Sequence, residues 1–194
     1  MLERLAVFCG SSPGGSEVYA DAARELGGLL ADRGIGLVYG GGNTGIMGII
    51  ANTVLDRGGE VIGVIPSSLA EKELAHMGCT ELHVVESMHE RKALMADKAG
   101  GFVALPGGIG TLEEICEVYT WAQLGFHSKP CGLLDVDGYW SALASLLDHF
   151  VEERFMRAEH RDMLPSFSSP TELLDAYASW KAPLVDKWLD RGQT

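Results

Sequence analysis

The sequence of 194 residues contains no apolar run long enough to span a bilayer, so we expect no transmembrane helix. Basic residues are also scarce: 15 Lys and Arg stand against 27 Asp and Glu, which gives a formal net charge of −12. A field of that sign disfavours nonspecific binding to nucleic acid or to acidic membrane surfaces. An anionic small molecule would therefore need a local site of favourable charge.

Cysteine is scarce as well, since Cys9, Cys79, Cys116 and Cys131 are widely spaced and form no C-x-x-C pair. The six histidines are scattered and form no H-E-x-x-H pattern. We therefore expect reduced thiols, no structural disulfide and no metal site. The first residues, MLERLAVFCGSS, lack the layout of a signal peptide, and we expect a cytoplasmic protein.

Short apolar runs alternate with longer amphipathic segments along the chain. The predicted strands lie at residues 4–9, 35–40, 60–66, 81–85, 101–106, 131–136 and, weakly, 163–167. The predicted helices lie at residues 16–33, 45–56, 88–99, 111–125, 139–153 and 171–181, with an irregular stretch at 67–79. This alternation predicts an α/β fold: one Rossmann-like domain at 1–182, with a mostly parallel sheet and helices on both faces, and a C-terminal tail at 183–194.

Two glycine-rich turns, YGGGNTGIMG (39–48) and LPGGIGTLEE (105–114), each follow a predicted strand and open a helix. Both should lie at the carboxyl edge of the sheet, where ligands bind. Glycine allows close approach of a ligand, and the amides at a helix start suit phosphate. The first turn departs from G-x-G-x-x-G, so a mononucleotide fits better than a dinucleotide. Tight strand-to-helix packing is the alternative for each turn, but the second has more backbone freedom than packing needs.

Thr111 and Glu114 have the spacing of a capping box, and that interpretation, taken alone, is the simplest account of Glu114. Ser87 and Glu90 have the same spacing at the start of the preceding helix. Arg91 lies early in that helix, where the dipole disfavours a cation, so it needs a partner. A carboxylate or phosphate could supply one, and a solvated arginine paired with Glu90 is the alternative.

The motifs MHERK (88–92), PGGIGTLEE (106–114) and GGGNTGIMG (40–48) together resemble those of the Lonely Guy family. This is a family of cytokinin riboside 5′-monophosphate phosphoribohydrolases, and its bacterial relatives were often labelled possible lysine decarboxylases. The resemblance runs collinearly over residues 2–180 and includes TWAQLG and VDGYW. The second motif departs from the family pattern at Ile109, where the family usually has tyrosine. The resemblance also implies a homodimer and no cofactor.

The resemblance assigns roles to particular residues. It implies that Arg91 and Glu114 are the catalytic pair. It places the nucleotide-binding positions at Lys92, Gly107, Gly108, Gly110, Thr111 and Glu113. It places two further substrate contacts at Glu73 and Thr120. We expect the other turns at the same edge to contribute Ser11, Ser12, Gly41, Gly42 and Gly45.

The implied reaction is hydrolysis of the N-glycosidic bond of AMP or an N6-substituted AMP, which gives the free base and ribose 5-phosphate. A fixed carboxylate would stabilise the positive charge that grows on the ribose. A pyridoxal-dependent decarboxylase would need a Schiff-base lysine, and neither Lys98 nor Lys129 has a supporting motif. A nucleotide or molybdenum-cofactor carrier would need the glycine-rich turns but not the Arg91 and Glu114 pair, so the pair favours the enzyme.

Overall fold

The computed structural model describes residues 2–70 and 75–181. Its strands are β1 (Arg4–Phe8), β2 (Gly36–Tyr39), β3 (Val61–Pro66), β4 (Glu81–Val85), β5 (Gly101–Ala104), β6 (Cys131–Leu134) and β7 (Ser166–Phe167). Its helices are α1 (Glu17–Asp32), α2 (Gly45–Asp56), α3 (Ser67–Ala70), α4 (Met88–Lys98), α5 (Ile109–Gln123), α6 (Ser141–Glu152), α7 (Ala158–Arg161) and α8 (Pro170–Ala178). The predicted tail at 183–194 lies outside the described residues. Within the described residues, no helix is both long and apolar enough to cross a membrane.

The strands form one sheet in the order β4-β3-β2-β1-β5-β6-β7, and every pair of neighbouring strands is parallel. The prediction of a Rossmann-like domain with a mostly parallel sheet is confirmed. The direction of strand succession reverses at β1, which lies between β2 and β5. In open α/β sheets a ligand binds at this reversal, outside the carboxyl ends of the strands. The fold therefore places the candidate site beside the turns that follow β1 and β5.

The central strands are buried on both faces, so they are continuous apolar runs without alternation. On β1, Leu5 and Val7 face one core, while Ala6 and Phe8 face the other. Helices α1, α2 and α8 cover the first face, whereas α4, α5 and α6 cover the second. Helices α4 and α5 therefore lie on the same side of the sheet, and each carries one of the two motifs with a predicted catalytic residue.

The starts of α4 and α5 differ in how they are capped. The Ser87 hydroxyl accepts the Glu90 amide at 3.2 Å, as a capping box requires, but the Glu90 carboxylate accepts the Glu86 amide at 2.8 Å. Helix α5 begins at Ile109, two residues before its predicted start, and its N-cap is Gly108, which has extended backbone angles. The interpretation of Thr111 as the cap of this helix is wrong, since Thr111 is buried inside its first turn.

Candidate active site

A cavity of about 280 Å³ opens where the turns after β1 and β5 meet. Strand β1 and the turn after it form one wall, and the first residues of α5 form another. Arg91 and Glu114 lie in the same cavity. The lining residues are Val7, Phe8, Cys9, Gly10, Ser11, Gly40, Met47, Arg91, Gly108, Ile109, Gly110, Thr111 and Glu114.

The Arg91 side chain is buried, with 6% of its surface exposed. Its Nε donates a hydrogen bond to the Val64 carbonyl at 3.1 Å, and its Nη2 donates one to the Gly40 carbonyl at 3.2 Å. These carbonyls belong to β3 and to the residue directly after β2, so the arginine spans the carboxyl edge of the sheet. The interpretation of Arg91 as a solvated arginine paired with Glu90 is wrong, because the fold places α4 against this edge.

Glu114 is also buried, with 8% of its surface exposed, and its Oε1 lies 3.4 Å from Nη1 of Arg91. Its carboxylate lines the cavity, and the residue lies beyond the first turn of α5, whose N-cap is Gly108. Two buried charges of opposite sign stabilise one another when each has further polar contacts, as Arg91 has on two carbonyls. Burial and the Glu114 carboxylate also raise the pKa of the Cys9 thiol in the same cavity, so this thiol is protonated.

The start of α5 provides a site for an anion. The amides of Ile109, Gly110 and Thr111 lie in the first turn, where no preceding carbonyl of the helix can accept their hydrogen bonds. All three residues line the cavity. Before them, the Gly107 carbonyl accepts a hydrogen bond from the Tyr139 hydroxyl at 2.6 Å, which fixes the turn. Amides at the positive end of a helix dipole suit a phosphate group.

Lys92 is held between two glutamates of α5. Its Nζ lies 2.6 Å from Oε1 of Glu113 and 2.9 Å from Oε2 of Glu117. Burial alone would lower the pKa of Lys92, but its contacts with the two glutamates outweigh that effect and raise it. The lysine also offsets the repulsion between Glu113 and Glu117, which lie one turn apart. Within one chain these contacts join α4 to α5, and nucleotide binding by Lys92 and Glu113 stays a prediction.

The first glycine-rich turn contributes less to the cavity than expected. Among the described residues, Gly40 and Met47 line the cavity, but Gly41, Gly42 and Gly45 do not. Gly41 has a φ of 77° and its Cα packs against β3, while Gly45 has a φ of 55° and contacts the backbone of the turn after β1. Tight packing therefore accounts for these two glycines, and their substrate contacts stay a prediction.

Of the remaining predicted site residues, some line the cavity or a neighbouring one and others do not. Ser11 lines this cavity and also a second one of about 290 Å³, which Ser12 and Gly107 line as well. Thr120 is exposed on α5, and its hydroxyl donates to the carbonyl four residues earlier. At 1.5 Å per residue, Thr120 lies about 13 Å along the helix from Thr111. Glu73 lies outside the described residues.

Comparisons with known proteins give the family. The sequence model of a family described as "Possible lysine decarboxylase" matches residues 47–177. A probable cytokinin riboside 5′-monophosphate phosphoribohydrolase of Oryza sativa subsp. japonica, LOGL1, is 51% identical over 171 residues, or 88% of this chain and 77% of the relative. The chain belongs to the Lonely Guy family. Another relative, the cytokinin riboside 5′-monophosphate phosphoribohydrolase LOG3 of Arabidopsis thaliana, is 50% identical over 178 residues, or 90% of this chain and 83% of the relative.

Solved structures share the fold of this Lonely Guy family member at low sequence identity. The molybdenum cofactor binding protein of Rippkaea orientalis has a TM-score of 0.70 at 22% identity, with 92% of this chain and 97% of that chain covered. The molybdenum cofactor carrier protein of Chlamydomonas reinhardtii has a TM-score of 0.68 at 18% identity, with coverages of 93% and 100%. At these identities the likeness establishes the Rossmann-like fold alone.

Several cavity residues of this Lonely Guy family member were missed by the sequence interpretation. Cys9 is one of them: it follows the last residue of β1 and precedes the turn that contains Ser11. Its position at the carboxyl end of a strand could have indicated that it lines the site. Gly40 and Met47 belong to a motif that was noticed for its other glycines. The two lysines considered for a decarboxylase have other contacts: Lys98 pairs with Glu81 at 3.2 Å, and Lys129 donates to the Ala96 carbonyl at 2.7 Å.

Proposed function

We propose that this protein hydrolyses the N-glycosidic bond of AMP or of an N6-substituted AMP, and releases the base and ribose 5-phosphate. The observation that carries the proposal is the buried Arg91 and Glu114 pair in a cavity that also contains the first-turn amides of α5. The two relatives are named as phosphoribohydrolases of this class of nucleotide, and they share about half of their residues with this chain.

The cavity gives the phosphate and the ribose of the nucleotide a partner each. The 5′-phosphate binds the amides of Ile109, Gly110 and Thr111 at the positive end of α5. Glu114 lies one helical turn further on, about 5.4 Å along the axis, which brings its carboxylate under the ribose. As the bond to the base breaks, positive charge grows on the ribose, and the fixed carboxylate stabilises that charge more than it stabilises the ground state. The phosphate holds the sugar over the carboxylate throughout.

Arg91 orients the carboxylate of Glu114. Its guanidinium is fixed by two main-chain carbonyls, so the geometry of the pair is set before the substrate binds. The Glu114 carboxylate is then available to hold the attacking water near the anomeric carbon, as carboxylates do in glycoside hydrolases. Contacts of the substrate with Ser11, Lys92 and the other predicted binding residues belong to this proposal.

Incubation with AMP or N6-isopentenyl-AMP, followed by chromatography, tests the proposed reaction. We expect equal amounts of free base and ribose 5-phosphate, because hydrolysis of this bond gives one of each. Adenosine, which lacks the phosphate, is expected to react about 10²-fold more slowly, because the amides of α5 cannot hold it. Binding of both nucleotides without release of base would contradict the proposal and favour a carrier.

We infer that the protein acts as a homodimer in the cytoplasm. Thr120, a predicted substrate contact, lies far from the cavity of its own chain and is exposed, so a second subunit is needed to bring it to a site. All four cysteines are free, which suits a reducing compartment. Sedimentation equilibrium is expected to give twice the chain mass of 20.8 kDa. A monomer with full activity would contradict the homodimer.

A further inference from the structure

Gly40, the first glycine after β2, lies next to the Arg91 guanidinium. We propose that Gly40 is a positioning residue for the reaction: its missing side chain makes room for the guanidinium, and its carbonyl aims the guanidinium at Glu114. This inference rests on the proposed function, because it concerns the geometry of the same catalytic pair. It explains the first glycine of the triple-glycine motif by its contact with Arg91 and not by phosphate binding.

The backbone of Gly40 does not require glycine. Its φ lies outside the left-handed region, unlike that of Gly41 and Gly45 in the same turn. Space is the constraint: a Cβ at Gly40 would collide with Nη2 of Arg91 and would lie 3.0 Å from Sδ of Met47. Methionine is flexible and adapts readily, so the guanidinium is the group that a Cβ would displace.

The position of the Arg91 guanidinium determines its contact with Glu114. Nη2 donates to the Gly40 carbonyl and Nε donates to the Val64 carbonyl, so the two carbonyls fix the plane of the guanidinium. Nη1, the third nitrogen of the same planar group, is the atom that faces Glu114 at 3.4 Å. Loss of the Nη2 contact would let the guanidinium rotate away from Glu114. The effect is therefore on the pair and not on the phosphate site, which is formed by α5.

The test compares Gly40→Ala with Gly15→Ala. Gly15 also lies in a turn near the site, has no positive φ, and a Cβ there would meet nothing within 4 Å. For AMP, we expect Gly40→Ala to lower kcat about 10²-fold and to leave KM nearly unchanged, since a small misplacement of a catalytic group costs about that factor. Gly15→Ala is expected to retain the wild-type kcat. The Arg91 Nε–H signal, assigned by its loss in Arg91→Lys, should move in ¹⁵N NMR spectra of Gly40→Ala alone.

A double-mutant cycle covers the case in which Gly40→Ala does not fold. Lysine has no atom at the place of Nη2, so Gly40→Ala should fold in an Arg91→Lys background and change its residual kcat less than about threefold. Failure to fold in both backgrounds, an equal loss of kcat in both, or an unchanged Arg91 signal would overturn the inference. If wild-type protein releases no base from AMP, the proposed function fails by itself, and the NMR comparison still tests whether Gly40 seats Arg91.

Discussion

Replacing Glu114 with glutamine is expected to lower kcat for base release from AMP by about 10³-fold, the loss found when a preorganised electrostatic group is removed. Glutamine has the same shape as glutamate but no charge, so it cannot stabilise the positive charge on the ribose. The phosphate contacts of α5 are unchanged, and the affinity for AMP should therefore stay close to the wild-type value. Single-turnover kinetics measure the first quantity and calorimetric titration with AMP the second.

Glu25→Gln is the matched control for this substitution. Glu25 is exposed on α1 and lies outside the cavity, so the same loss of one negative charge at that position should leave kcat unchanged. If Glu114→Gln turned over AMP at the wild-type rate, Glu114 would have no part in the reaction. A loss of AMP affinity equal to the loss of rate would instead give it a binding role.

Replacing Arg91 with methionine is expected to lower the free energy of unfolding by about 3–5 kcal/mol, the cost of leaving one partner of a buried ion pair alone. Three groups lose a contact with Arg91: the Glu114 carboxylate and the carbonyls of Val64 and Gly40. Urea unfolding measures the change, and the slope of the transition should stay the same. The double variant Arg91→Met, Glu114→Met should regain much of the loss, because an apolar pair carries no buried charge.

Arg4→Met is the control for stability. Arg4 forms a two-point ion pair with Glu60 at 2.7 and 3.0 Å, but both side chains are 36% exposed. An exposed pair contributes about 0.2–1 kcal/mol, so this variant should unfold close to the wild-type midpoint. Equal losses for the Arg4 and Arg91 variants would contradict the burial argument for Arg91.

Most of the fold could be predicted from the sequence because short apolar runs indicated the buried strands and longer amphipathic segments indicated the helices. The bounds of α2 and β4 were predicted without error, and the order of the main elements was correct. Helix α7 was missed, since its four residues are too few to show a period. The last strand, β7, has only two residues, whereas the prediction began at residue 163. Met163 and Leu164 are buried in the core but precede the strand.

The candidate site was predicted in part, and the limit was the lack of tertiary information. Local rules describe Glu114 as a cap and Arg91 as an unfavourable charge near a helix start. Glu114 lies beyond the first turn of α5 and lines the cavity, whereas Arg91 does have a carboxylate partner, Glu114. The two residues meet because α4 and α5 lie side by side on the sheet, which no local pattern reveals. The motif resemblance singled out both residues, but neither their contact nor the Gly40 and Val64 carbonyls that hold Arg91 could be inferred from spacing.

The Lys92 contacts with Glu113 and Glu117 have a consequence for redesign of the protein. Arg91 is followed by Lys92, and Glu114 is preceded by Glu113, so each helix carries a residue of the proposed catalytic pair beside a residue that joins α4 to α5. A backbone shift at either of these two positions would therefore alter the contacts between the helices and the geometry of the pair together. Ile109, with 81% of its surface exposed at the mouth of the cavity, is outside this coupling. Ile109 is therefore a cavity position where a substitution leaves both pairs of contacts in place.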